Sequence, residues 1–193
     1  MDLISFLTQG ETPMPRAAAA EFAALWAIRR VLPGTPLSHQ GEADTSEYVL
    51  LNGRADLTIG DADGAIACVG LFAGPCVITP NLARTRDGNA YATLEVTDEA
   101  LIAEMDSETL TERMLVNEEI RNWANAVLRQ EIQRKADREW ALASLKGAAR
   151  LAWFRERYPE HENGFAHGLI ASFLGMTPVS LSRLRKETRS GRH

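Results

Sequence analysis

The spacing of apolar and polar residues divides the chain into three regimes. In the alanine-rich stretch PRAAAAEFAALWAIRR, Phe22, Leu25, Trp26 and Arg29 recur at helical intervals and predict a helix over residues 15–30. Pro33-Gly34 closes it. From Leu37 to about Ala103 short apolar runs alternate with turns. Tyr48–Leu51 leads to Asn52-Gly53, Leu57 and Ile59 alternate with polar neighbours, and Asp61 to Gly64 turns the chain into Ile66–Val69. Asn-Gly between apolar runs is a strong hairpin signal, because both turn positions accept positive φ. Further strands are predicted around Val77–Ile78, Ala90–Val96 and Ala100–Ala103, and so many short strands favour an antiparallel barrel or sandwich.

The third regime is helical. Residues 107–135 contain neither Gly nor Pro, with Ser107 as the expected N-cap. Leu110, Met114, Val116, Ile120, Trp123, Ala124, Val127, Leu128 and Ile132 form its apolar stripe. At 1.5 Å per residue such a helix reaches roughly 40 Å, more than a small barrel covers, so a second copy of the chain is expected along part of the stripe. The other reading lays a single helix across its own barrel. Farther on, Leu151, Phe154 and Tyr158 share a helical face ended by Pro159, and His161–Gly164 reads as a loop.

The stretch IASFLGMTPVSLSRLRKE carries the sharpest pattern. A helix through Phe165–Phe173 meets Gly175, which suits a left-handed turn; Thr177 is an apt N-cap and Pro178 an apt first helical residue. Leu181 and Leu184 then face inward, leaving Val179, Ser180, Ser182, Arg183 and Lys186 outward. Two helices, a short glycine turn and a basic outer face describe a helix-turn-helix, or else an ordinary helical hairpin.

Charge separates the same regions. The chain carries −5 overall, which alone argues against a nucleic-acid partner. Residues 1–133 hold 9 Lys and Arg against 20 Asp and Glu, a net −11, whereas residues 134–193 hold 12 against 6, a net +6. An acidic body with a basic end suggests two modules with different partners, or a solvated basic tail. The expected units are residues 1–106 (an antiparallel β-barrel or jelly roll), 107–136 (a long dimerisation helix) and 137–193 (an all-helical DNA-binding unit), an α+β architecture.

Candidate chemistry is sparse. Cys68 and Cys76 are too few for a four-thiolate metal or iron–sulfur site, and buried structural thiols are the simpler reading. His39, His161, His167 and His193 are scattered, and neither a carboxylate pair nor a phosphate loop points to an enzyme. The N-terminal MDLISFLTQGE lacks a signal-peptide pattern and no apolar run nears a membrane span, so a cytoplasmic protein is expected.

The terminal stretch resembles the DNA-binding part of Crp/Fnr regulators whose recognition helix reads T-P-x-x-L-S-R. ARLAWFRERYPE is similar to that family's linking segment, VLPGTPLSHQGEADTSEYVLLNGRADL to its opening strands, and NAYATLEVTDEALIAEM to its last barrel strands. The ordered set spans about residues 20–187. It implies a barrel of the cyclic-nucleotide-binding type, a long dimer helix and a helix-turn-helix on double-stranded DNA. RNA polymerase is a further candidate partner on the same ground. The implied readers are Arg183 for guanine, Val179, Ser180 and Ser182 for neighbouring bases, and Thr177, Lys186, Arg189, Arg185, Arg192 and Lys146 for phosphate. The implied dimer contacts are Leu110, Met114, Ile120, Trp123, Ala124, Val127 and Leu128.

Two departures qualify the resemblance. The family's phosphate-binding cassette pairs a glutamate with ribose and an arginine with the cyclic phosphate. Here Phe72-Ala73-Gly74 lacks the acid and Gly88-Asn89-Ala90 lacks the base, leaving Arg84 and Arg86 as substitute effector ligands and cyclic AMP an improbable cofactor. The family's β-hairpin wing also has too few residues after the recognition helix, which lowers affinity without removing base reading. A competing reading is a small-molecule or protein-binding sensor with a vestigial DNA module.

Overall fold

A computed structural model describes residues 1–10 and 12–190, with side chains to Glu187. Its elements in chain order are α1 (Leu3–Leu7), α2 (Arg16–Ala23), β1 (Ala27–Val31), β2 (Thr35–Ser38), β3 (Ser46–Asn52), β4 (Arg54–Gly60), β5 (Ile66–Ala73), β6 (Cys76–Val77), α3 (Asn81–Arg84), β7 (Thr85–Arg86), β8 (Asn89–Ala90), β9 (Thr93–Val96) and β10 (Ala100–Asp106). The helical remainder comprises α4 (Ser107–Val116), α5 (Glu118–Ser144), α6 (Gly147–Arg157), α7 (His161–Gly164), α8 (His167–Phe173) and α9 (Pro178–Ser190).

The strands form two antiparallel four-stranded sheets, β1-β10-β3-β6 and β2-β9-β4-β5. They face each other as a jelly-roll sandwich and do not close into a barrel. Alternation drives this arrangement: Tyr48 and Leu50 of one sheet and Ala55, Leu57, Leu94 and Val96 of the other point into one shared core. The β3–β4 hairpin turns at Gly53, whose φ is +92° and whose missing Cβ would lie 2.7 Å from the Glu99 carbonyl oxygen.

The outer face of the first sheet is covered by the N-terminal helices and by α5. Leu3, Leu7 and Phe22 meet Val49, Leu51, Ala103 and Met105 there, joined by Ile120 and Trp123 from α5. Phe22, Trp26 and Trp123 contact each other edge to face, with centroids 5.4–6.4 Å apart.

Two expected helices are corrected. The helix expected over 15–30 ends at Ala23, and Ala27–Val31 instead pairs with β10 in the register Ala27↔Glu104 to Val31↔Ala100. Pairing and the branched Ile28 and Val31 outweigh the alanine-rich start. The single helix expected from Ser107 breaks at Asn117, where the backbone turns extended (φ −127°, ψ 119°) and the side chain accepts the Ile120 N–H at 2.9 Å. Asp106, rather than Ser107, caps α4, accepting from Glu108 and Thr109. Beyond the break α5 runs 27 residues to Ser144. No helix among the described residues is long and apolar enough to cross a membrane.

Candidate nucleic-acid interface

The helix-turn-helix is built around a compact apolar centre. Leu151 and Phe154 of α6, Ile170 and Phe173 of α8 and Leu181 of α9 are buried together. Gly175 turns the chain between α8 and α9 at φ +61°. Thr177 caps α9 as expected, its Oγ1 accepting the Ser180 N–H at 3.1 Å and sharing a hydrogen bond with the Ser180 hydroxyl at 2.9 Å. The face opposite Leu181 is open. Val179 is 80% exposed, Ser182 and Lys186 are exposed, Ser180 is half-buried, and the Arg183 side chain is 74% exposed with only a 3.8 Å approach to Glu187.

These five residues and Thr177 therefore share one surface on α9. Arg185 does not join them. Its Nε donates to Glu162 at 3.0 Å and its Nη1 reaches His167 Nδ1 at 2.8 Å, so this expected phosphate anchor braces α9 against α7 and α8. Hydrogen bonds from Arg155, with the charges of Arg155 and Arg185, hold the Glu162 carboxyl below its usual value despite partial burial. The Arg189 side chain and Arg192 lie outside the described residues. Lys146 is exposed just before α6.

Two arginines that sequence pattern did not single out set the position of this unit. Arg150 of α6 reaches the carbonyls of Leu174 at 2.7 Å and Gly175 at 3.4 Å, and of Leu142 at 3.0 Å and Leu145 at 2.8 Å. It satisfies carbonyls at the ends of both α5 and α8 and so ties the long helix to the turn. Arg138 of α5 donates to the carbonyls of Phe173 and Cys68, joining α5, α8 and β5. Their only sequence signal is a guanidinium within each linking helix; a carbonyl partner leaves no side-chain pattern to read.

α8 also packs on β5, the edge strand of the second sheet. The Ser172 hydroxyl accepts the Cys68 N–H at 2.8 Å and donates to the Ile66 carbonyl at 3.3 Å. Cys68 and Leu71 belong to the same apolar cluster as the helix-turn-helix. Burial pushes the Cys68 and Cys76 thiols each up to about 12, which leaves them as unreactive thiols.

The substitute effector ligands separate. Arg84 is fully buried: its Nε donates to Asp44 Oδ2 at 2.8 Å, its Nη2 to Asp44 Oδ1 at 3.1 Å and to the Ser46 carbonyl, and its Nη1 to the Thr79 carbonyl at 2.6 Å. The Tyr48 ring lies 4.9 Å away. Each nitrogen of this buried guanidinium donates within the protein, which corrects its reading as an effector ligand. Arg86 is exposed, 5.7 Å from the Tyr91 ring.

The expected dimer residues separate too. Ile120, Trp123 and Ala124 are buried within their own chain, Trp123 and Ala124 also bordering the groove between α4 and α5. Leu110, Met114, Val127 and Leu128 remain half-exposed and line an apolar groove of about 250 Å³ beside Leu82. Leu82 and Ile132 (each 68% exposed), with Trp140 at 52%, extend that apolar surface along α3 and α5.

No protein-family model and no curated protein matches the chain. Solved structures do. FixK2 from Bradyrhizobium japonicum superposes with a TM-score of 0.75 at 13% identity, covering 86% of this chain and 85% of that one. The c-di-GMP responsive global regulator CLP of Xanthomonas campestris gives 0.71 at 14% identity, with 92% and 93% covered. A CooA mutant from Carboxydothermus hydrogenoformans gives 0.73 at 13%, with 98% and 85% covered. The chain therefore has the fold of these regulators across nearly its whole length.

Proposed function

We propose that the protein is a homodimeric, sequence-specific DNA-binding regulator of the Crp/Fnr type, whose sandwich domain does not take cyclic AMP in the family's usual way. The observation that carries this reading is the outward surface of α9, where Arg183, Ser182, Val179 and Lys186 stand clear of a core sealed by Leu181. An exposed helix of this composition, preceded by a capped glycine turn, fits the major groove of B-DNA. Arg183 is suited to two acceptors on one guanine, Val179 to a thymine methyl, and Thr177 and Lys186 to phosphate.

The dimer is supported by the half-exposed apolar groove between α4 and α5 and by the exposed Ile132 and Trp140 farther along α5. Paired α5 helices would set two copies of α9 about 34 Å apart, the spacing of successive major grooves. The departure from cyclic AMP is supported by Arg84, which Asp44 fully occupies. A titration of the full chain with fragmented genomic DNA, at stated salt, tests the reading. Retention of a discrete subset of fragments supports it; equal binding to all fragments favours the competing sensor reading.

A further inference from the structure

A cavity of about 480 Å³ lies outside the sandwich core, between α1, the β5–β6 turn, the middle of α5 and the Tyr158–His161 segment that leads into the helix-turn-helix. Binding sites for small molecules commonly fall at about 300–1,000 Å³, mostly apolar with a few placed polar groups. This wall fits that description, with Phe6, Pro75, Trp123 and Ala126 among its apolar members.

The charges in the wall are already closed upon themselves. Arg134 donates through Nε and Nη2 to the two oxygens of Glu131 at 2.8 Å each, and Thr79 donates to the same carboxylate at 2.9 Å. Burial opposes the Glu131 charge, yet Arg134, Lys135 and Thr79 hold its carboxyl below the usual value. No unpaired charged side chain is left in the wall to receive an ion.

One buried polar atom in the wall stands out: His161 Nδ1 has no hydrogen-bond partner, whereas the neighbouring Tyr158 hydroxyl, itself buried, interacts with Arg134. His161 Nε2 lies 3.3 Å from the Leu71 carbonyl and so must carry the ring proton. Burial lowers the imidazole's affinity for a second proton, which makes Nδ1 a bare acceptor. Buried polar atoms are ordinarily satisfied, and an orphaned acceptor in the wall of a cavity marks a place for a ligand.

We propose that this cavity binds an uncharged, largely apolar small molecule that donates a hydrogen bond to His161 Nδ1. An ion would find Arg134 and Glu131 already neutralising each other, and a purely apolar molecule would leave His161 Nδ1 unmet. Arg84 and Asp44 lie outside this lining, whereas Phe72 and Ala73 of the cassette-like segment border it, and the proposal stands independently of the DNA-binding reading.

The probe is N-phenyl-1-naphthylamine, uncharged and aromatic with a single N–H, titrated into the full chain and followed by its own fluorescence. Saturable binding at one site per chain is expected. Gln130→Trp changes an exposed residue of the wall and should weaken binding about tenfold or more by occupying the space. His161→Phe keeps an aromatic ring but removes the acceptor and should weaken binding about tenfold. Circular dichroism confirms that each variant is folded. Binding that never saturates, or that survives both substitutions unchanged, overturns the proposal. The assay contains no DNA, so its failure is separate from failure of the regulator reading.

Discussion

Arg138 grips Phe173 twice over. Its Nε and Nη2 donate to the Phe173 carbonyl at 3.2 and 3.0 Å, while the guanidinium carbon lies 4.6 Å from the centroid of the same residue's ring. The same Nη2 reaches the Cys68 carbonyl at 3.1 Å, so one side chain holds α5, α8 and β5. A lysine cannot reproduce that fork. Arg138→Lys is expected to lower stability by about 1–3 kcal/mol in urea unfolding. It should also speed amide exchange at Cys68 and through α8 more than in β3 or β10.

Arg183 is exposed and approaches Glu187, one turn along α9, at 3.8 Å. Arg183→Ala should leave the melting temperature and the oligomeric state unchanged while weakening specific DNA binding by about 1–3 kcal/mol. Lys186→Ala should instead weaken binding to all sequences alike and reduce the salt dependence by about one phosphate contact. Fluorescence anisotropy at several salt concentrations separates the two. Unaltered specific binding by Arg183→Ala would sink its assignment as a base reader.

Arg84 and Asp44 stabilise only as a pair. Arg84→Leu strands a carboxylate that is 5% exposed, and the expected cost is about 3–5 kcal/mol in denaturant unfolding. Replacing Asp44 by Leu as well should recover part of that loss. Excess cyclic AMP should not raise the melting temperature of the wild-type chain, because Arg84 is fully buried and already paired with Asp44.

The two faces of α5 should respond in opposite ways. Ile132→Glu and Trp140→Glu place charge on exposed apolar positions, so sedimentation velocity is expected to show monomers of native stability. Trp123→Ala opens the aromatic cluster with Phe22 and Trp26 and should cost about 3–5 kcal/mol whatever the oligomeric state. A dimer that survives both glutamates would remove this surface from consideration.

Asp56 provides a pH dependence. Its strand neighbours Ala55 and Leu57 enter the sandwich core, so Asp56 faces the other side, where Leu71 on β5 and Glu95 on β9 are its Cα partners. Burial, and then the charge of Glu95, push its carboxyl up to about 6 from 3.8. Between those values the folded chain binds more protons than the unfolded one, so this group's contribution is complete below about pH 4 and lost as pH rises through about 6. Asp56→Asn should therefore gain on the order of 2 kcal/mol over wild type at pH 7 and little at pH 4. Equal differences at both values would show that Asp56 ionises normally.

Local signals and long-range ones were legible to different degrees. The Asn52-Gly53 hairpin, the Gly175 turn and the Thr177 cap are written in two or three adjacent residues, and each stands where the pattern places it. The break at Asn117 was equally local but hidden, since asparagine is common on helix surfaces and becomes a cap only when the preceding helix can stop. Ile28 and Val31 could not announce a strand, because their partner β10 lies some seventy residues away. The candidate reading surface was legible through Leu181 and Leu184, whose spacing fixes the opposite face. Arg84, Arg138, Arg150 and Arg185 were not: a guanidinium reads as solvent-facing charge until the carbonyls and carboxylates that surround it are brought together by the fold.

Ser172 closes the open side of β5 by exchanging hydrogen bonds with Cys68 and Ile66. If α8 were to swing outward with α9, that strand would be left with unpaired N–H and C=O groups next to an apolar Leu71, a template for pairing with another molecule. Any large rearrangement of the helical unit must therefore either carry β5 along with it or risk fibre-like self-association. The safer movement is a small rotation about this seam, and chains trapped in the undocked state should precipitate.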